Sequence, residues 1–302
     1  DDRSRTDPGR RTRPHTDGAL HLMRPVWPRI LLVLAIIPVV CGLVWAGLSL
    51  WSNTTKQPLP LDDQCVATAD GAKVVVTLEQ AHNAAIISAV GLRRGLPSRA
   101  VTIALATAYQ ESGVRNLDYG HSDSIGLFQQ RPSKGWGTIK EIMDPFYSAG
   151  RFYSALVTVK NWRTRDINDV AQAVQRSAYP EAYRKHVSKA QALSAALTGV
   201  STGGFTCKVG SPDKADADGL SALVSKSLAD EVKVTKGGPG LIIEATTQQR
   251  AWAAAHLVVA NTGEYGVARV SVGGSDWVHD TRALAGWSGI GSGRIVTVAF
   301  RK

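Results

Sequence analysis

The sequence predicts a chain in three parts: an N-terminal transmembrane helix, a mainly α-helical domain, and a small α+β domain at the C-terminus. Three observations predict it. Residues Ile30 to Trp51 form an uncharged run of 22 residues, which at about 1.5 Å per residue can cross a hydrocarbon core of roughly 30 Å. Residues 73–200 carry apolar positions at helical spacing, punctuated by Pro and Gly, and no segment there alternates convincingly as a strand. From residue 220 onward helical and alternating segments follow one another.

Residues 1–29 are rich in Arg, Pro, Thr and Asp and lack an apolar period, the composition of a disordered tail. Within the apolar run Pro38 is compatible with a kinked span, and Trp27, Trp45 and Trp51 suit the borders of a bilayer. Arg3, Arg5, Arg10, Arg11, Arg13, Arg24 and Arg29 precede the run and only Lys56 follows closely, so the positive-inside rule places the N-terminus in the cytoplasm and the later domains outside it. A cleaved signal peptide is the competing reading, but the run is long for one and no small-x-small site follows. The lipid bilayer is therefore an expected partner through Ile30 to Trp51.

Residues 52–72 read as a polar, proline-containing tether and residues 201–219 as a linker, which leaves a helical domain at 73–200. In that domain Leu78 to Gly91 is an alanine-rich helix with Leu78, Ala81, Ala85, Ile86 and Ala89 on one face. A second helix opens at Pro97–Ser98, with Ser98 as N-cap, and ends at Gly113. Further helices are expected over Ile139 to Val159, broken near Pro145, over Asn168 to Arg176 and over Pro180 to Thr198. In residues 220–302, helices at Leu220 to Glu231 and Thr247 to Asn261 alternate with strands at Gly240 to Ala245, Val267 to Gly273 and Arg294 to Phe300. His256 reads as a packed or surface histidine, since no nucleophile or paired ligand stands near it in sequence.

Of the three cysteines, Cys41 falls within the apolar run, while Cys65 and Cys207 flank the helical domain. In an exported protein these two are expected to form a disulfide that staples the domain's ends. Three scattered cysteines lack the close spacing of a zinc site, and no metal or organic cofactor is expected.

The chemistry concentrates in Ala104 to Thr138. Glu111 follows Ile103, Leu105, Ala106, Ala108 and Tyr109 at a helix C-terminus, where apolar surroundings and the helix dipole both disfavour its charge. A carboxyl kept protonated near neutral pH can donate to a leaving glycosidic oxygen. On periodicity alone, an exposed glutamate in a fraying last turn is the commoner arrangement.

The run Ser124 to Ser133 (SIGLFQQRPS) downstream of Glu111–Ser112 resembles the Gly-Leu-Met-Gln motif that follows a Glu-Ser pair in lytic transglycosylases and goose-type lysozymes. Four further segments, Gln110 to Gly113, Asn116 to Gly120, Gly126 to Thr138 and Ala173 to Tyr183, resemble membrane-anchored, lysozyme-like wall proteins of actinobacteria. The resemblance covers roughly Leu96 to Thr198. It implies a lysozyme-like fold for the helical domain, Glu111 as sole acid/base, and Ser124, Gly126, Leu127, Phe128, Gln129, Gln130 and Tyr179 along the glycan cleft. Phe128 stands where the family has methionine, and the Tyr-Asn-Ala-Gly motif is absent, with Tyr179–Pro180 in roughly its place. Asp118 and Asp123 offer a second carboxylate to position water, although aspartates in loops commonly make turns.

Residues 73–200 hold 16 Lys/Arg against 9 Asp/Glu, within a chain of net charge +10. On an exported domain this favours anionic wall polymers, and no nucleic-acid motif accompanies it, so nucleic acid is not an expected partner. Tyr119, Trp136, Phe146, Tyr147, Tyr153, Tyr179 and Tyr183 supply aromatic faces for sugars or for the core. Ala251 to Trp277 resembles a domain found beside other actinobacterial wall hydrolases, and binding of the wall or of an envelope protein is its expected role. The expected function is therefore cleavage of peptidoglycan strands, by hydrolysis or with formation of an anhydro sugar. The alternative is a catalytically inactive wall-binding scaffold.

Overall fold

Two short strands, β1 (Gln64–Ala69) and β2 (Ala72–Val76), meet at Asp70–Gly71, where both residues take positive φ (49° and 76°), as a tight two-residue hairpin requires. A third strand, β3 (Phe205–Lys208), pairs antiparallel with the other side of β1. The computed structural model describes residues 62–176, 181–289 and 291–301, together with Val44. Within it, residues Pro60–Lys302 form one compact unit.

Helix α1 (Leu78–Arg93) starts at a capping box in which Thr77 and Gln80 satisfy each other's backbone N–H groups. It and α2 (Ser98–Ser112) are buried along most of their length, and their alanines let neighbouring helices approach closely. Ser98 is the first helical residue of α2 rather than its cap; that position falls to Pro97, and no side chain caps the helix. A short α3 (Ile139–Ile142) leads into α4 (Pro145–Leu156), where Asp144 caps Phe146 N and Pro145 fills the first turn. Next come α5 (Ile167–Gln175) and α6 (Val187–Leu197), the latter packed on β1, β2 and α2.

After β3 come α7 (Ala217–Leu228), β4 (Val232–Gly237), β5 (Gly240–Ala245), α8 (Gln248–Ala260), α9 (Thr262–Tyr265) and the strands β6 (Val267–Val272), β7 (Ser275–Val278), β8 (Trp287–Ser288) and β9 (Ile295–Phe300). The strands form one antiparallel sheet in the order β4-β5-β9-β6-β7-β8. Leu241, Ile243, Val270, Val296 and Val298 are buried and pack with α8. His256, on α8, is wholly buried beside Trp252, Trp287 and Phe205, and its Nδ1 lies 2.7 Å from Ala196 O.

The expected fold class is thus corrected. The described residues contain nine helices and nine strands in two sheets, not a transmembrane helix, a mainly α lysozyme-like domain and a separate α+β module. No helix among them is long and apolar enough to cross a membrane; the run Ile30 to Trp51 lies outside the described residues, Val44 apart. The expected tether at 52–72 contains β1 and the start of β2, and the expected linker at 201–219 contains β3 and the start of α7. β1 and β3 lie in polar, Pro- and Gly-containing stretches that read as connections, and the three strands are held by pairing with one another, by α6 and by a covalent bond. Cys65 stands directly opposite Cys207 across the β1–β3 pair and is disulfide-bonded to it.

The expected linker is not a hinge. Trp287 Nε1 donates to Phe205 O at 2.8 Å, Trp277 Nε1 donates to Thr206 Oγ1 at 2.9 Å, and Gln249 Nε2 donates to Thr198 O at 3.0 Å. His82 on α1 lies 2.6 Å from Asn261 Oδ1. Residues 62–200 and 220–301 therefore share a core through α1, α6 and α8.

Candidate active site

Glu111 sits in the last turn of α2, and that turn is anchored from two sides. Ser112 Oγ lies 2.8 Å from Leu127 O, its shortest acceptor, which ties the helix end to the loop below. Gln80 and Asn83 of α1 donate to Gly113 O and Val114 O at 2.8 and 3.0 Å. These carbonyls belong to two successive residues of positive φ, 67° at Gly113 and 61° at Val114. Glycine takes that conformation freely, whereas a β-branched valine is strained in it and stays there because its surroundings are fixed; Val114 is wholly buried.

The Glu111 carboxyl is half-buried, and Tyr183 Oη donates to its Oε1 at 2.7 Å. Gln175, at the end of α5, hydrogen-bonds the same carboxyl and also donates through Nε2 to Phe128 O at 2.8 Å. Burial raises the Glu111 pKa, outweighing the opposing effect of the Tyr183 and Gln175 hydrogen bonds, and the C-terminal end of α2 acts in the same direction. Both hydrogen bonds favour the ionised form. Removing one in Tyr183→Phe is therefore expected to raise the Glu111 pKa further and to move the alkaline limb of any pH–rate profile to higher pH. An unmoved limb in that variant argues against the assignment.

Below Glu111 the chain folds back at Ile125–Gln130, closed by Ile125 N to Gln130 O (3.0 Å) and Gln130 N to Ile125 O (2.9 Å). Gly126 has φ 76°, and a Cβ there meets Ile142 O at 3.0 Å, so this turn needs glycine. Leu127 and Phe128 are fully buried, with Phe128 stacked 4.5 Å from Phe152. The resemblance placed both in the cleft; they are in the core under it. Phe128→Ala is expected to cost about 3–5 kcal/mol of stability, measured as a lower denaturation midpoint with unchanged substrate preference. A stable variant with altered preference returns Phe128 to the cleft.

Beside Glu111 runs a groove of about 1080 Å³. Ser124, Gln129, Gln130 and Trp136 of the loop line it, together with residues of α4 and of the end of α5. Among the described residues four cations, Arg131, Lys134, Arg151 and Arg176, line it, and Glu111 is the only carboxylate that does.

Neither candidate second carboxylate joins Glu111. Asp118 is exposed and not part of the groove wall. Asp123 accepts from Ser133 N at 2.8 Å and Arg131 Nε at 2.6 Å, and these hydrogen bonds, those from Ser133 foremost, hold its pKa well below the usual carboxylate range. It braces the loop. Tyr179 lies outside the described residues. Of the other aromatic candidates, Phe146 and Tyr153 are core, and Tyr119 is exposed away from the groove wall. Tyr147 packs over Gly137, and Tyr183 is buried against the Glu111 carboxyl instead of offering a face to sugar. Gln175 and Arg176 went unnoticed in the sequence because they stand more than sixty residues from Glu111, at the end of a different helix.

No protein-family model matches this chain, and no curated protein matches it.

Proposed function

We propose that the protein cleaves the glycan strands of peptidoglycan, with Glu111 as acid and base. The observation that carries this reading is a single groove-lining carboxyl whose pKa is raised by burial and whose orientation is fixed by Tyr183 and Gln175. Such a group holds a proton for the leaving glycosidic oxygen. The resemblance of Glu111–Ser112 and Ser124 to Ser133 to the motifs of lytic transglycosylases and goose-type lysozymes supports the substrate. The Cys65–Cys207 disulfide supports an extracytoplasmic location.

Glycosidases that use water or a nucleophile generally pair two carboxylates across the bond. With Glu111 the only carboxylate lining the groove among the described residues, attack by a hydroxyl of the glycan itself is the favoured second step. Glu111 then gives its proton to the oxygen leaving the anomeric carbon. The sugar's 6-hydroxyl bonds to that carbon and returns its proton to Glu111, leaving a 1,6-anhydro end.

Mass spectrometry of the fragments released from isolated peptidoglycan by the full chain tests this. Anhydro-ended fragments are the expected result, and reducing-ended fragments replace the intramolecular step with hydrolysis. Sedimentation with the wall but no release of fragments defeats catalysis and leaves the wall-binding scaffold, a reading that the missing Tyr-Asn-Ala-Gly motif favours.

A further inference from the structure

Resting on the reading of the groove as a glycan site, we infer that it selects strands carrying anionic oxygen groups, carboxylate or phosphate, beside the bond to be cleaved, and that Arg176, Arg151 and Lys134 make this selection. The four groove cations are not equivalent. Arg131 is neutralised by Asp123 at 2.6 Å. Among the described residues Lys134, Arg151 and Arg176 form no salt bridge; Arg151 donates to a neutral acceptor, Gly135 O, at 3.0 Å, and its charge also acts on Glu141, helping to hold that carboxyl below its ordinary pKa. The bond to Gly135 O sets Arg151, on α4, against the loop carrying Lys134.

Arg176 stands at the end of α5. It follows Gln175, the residue that holds the Glu111 carboxyl, and caps α5 in the left-handed conformation (φ 51°), its backbone N–H bonded to Gln172 O at 2.8 Å. The groove is also lined by Ser154, Ala155, Thr158, Val159, Ala173 and Val174, which add short apolar and hydroxyl-bearing side chains to the cations.

Two observations separate this arrangement from an ordinary solvated surface. Gln130 lines the groove yet is 1 % exposed; its Nε2 is spent on Ser148 O at 3.1 Å, and its Oε1 has no donor among the described residues. A buried acceptor left unpaired is costly, a penalty that a solvated surface does not carry. In addition, burial and two neutral hydrogen bonds account for the Glu111 shift, with no cation among the causes. The raised pKa of the acid is thus accounted for without the groove cations. Guanidinium groups suit this task, since their planar fork matches both carboxylate and phosphate.

The test measures binding, so it does not depend on turnover. The full chain is made as Glu111→Gln to prevent cleavage, and its cosedimentation is followed with three preparations of the same strands: native, with stem carboxylates amidated, and with phosphodiester-linked polymers removed by hydrofluoric acid. Binding to native strands is expected to weaken about tenfold or more on amidation if carboxylate is the recognised group, or on acid treatment if phosphate is, and to fall steeply with salt. Arg176→Gly, which removes the charge at a backbone position that glycine occupies without strain, is expected to abolish most of that discrimination while the fold is kept. Equal binding of all three preparations, or discrimination intact in both Arg176→Gly and Arg151→Gln, overturns the inference. Absence of cleavage by the wild type alongside charge-dependent binding overturns catalysis and leaves the selection standing.

Discussion

Glu111→Gln is expected to lower strand cleavage by about 10²–10⁴-fold, the usual contribution of a positioned acid or base, and to stabilise the protein at neutral pH. The amide keeps the shape of the carboxyl and an oxygen for Tyr183 Oη, so the groove and the end of α2 remain as they are. The stability change follows from the pKa. Burial raises the folded-state value above the ordinary 4.5, so the protonated form is the one that folding favours. That contribution is fully present below the unfolded pKa and is lost as the pH rises through the folded pKa. A neutral glutamine has nothing to lose on that climb. Thermal unfolding of the two proteins is therefore expected to diverge above the glutamate range, with the variant more stable at pH 7, and to converge near pH 4. A variant less stable than wild type at pH 7, or a constant difference at every pH, contradicts a destabilised acid at this position. Wild-type turnover in the variant removes Glu111 from the chemistry.

Loss of the Cys65–Cys207 bond carries the second large effect. The two cysteines are separated by 142 residues, and opening so long a loop is expected to cost about 2–5 kcal/mol, or roughly 5–15 °C in Tm for a unit of this size. Calorimetry of the Cys65→Ser, Cys207→Ser double variant, or of the wild type with reductant, measures it. Neither cysteine lines the groove, so cleavage at 25 °C is expected to survive where thermal stability does not. An unchanged Tm on reduction means that the pairing of β1 with β3 and the packing of α6 hold the small sheet without the covalent bond.

Much of the site was legible in the sequence, and unevenly so. Glu111 stands at the end of an apolar helix, but periodicity there favours an exposed glutamate, and it was the resemblance of Glu111–Ser112 and Ser124 to Ser133 that singled out both Glu111 and Gly126. Leu127 and Phe128 belong to the same motif, but motif membership does not say which face of a turn a side chain takes, and both went into the core. Asp123 was a candidate catalytic group by residue type alone; its neighbours Arg131 and Ser133 spend both its oxygens. In the fold, helices of nine to sixteen residues left a periodic signal, as did β5, β6 and β9, whereas β1, β2, β3, β4, β7 and β8 went unrecognised, β2, β3, β7 and β8 being five residues or shorter.

By itself the sequence determined what local physics encodes: the helices α1, α2 and α8 through their apolar spacing, their ends through Thr77, Gly113 and Thr247, and the cysteines that meet across β1 and β3. Only the tertiary structure decided that the C-terminal sheet and the helices around Glu111 share one core, since α1 and α8 each present apolar side chains nearly all round and must be covered on every side. It also decided what surrounds the acid. Tyr183 and Gln175 reach Glu111, and Arg176 and Arg151 reach the groove, because α4, α5 and the turn before α6 converge there. Contacts between residues so far apart in the chain are set by packing, and no pattern along the sequence records them.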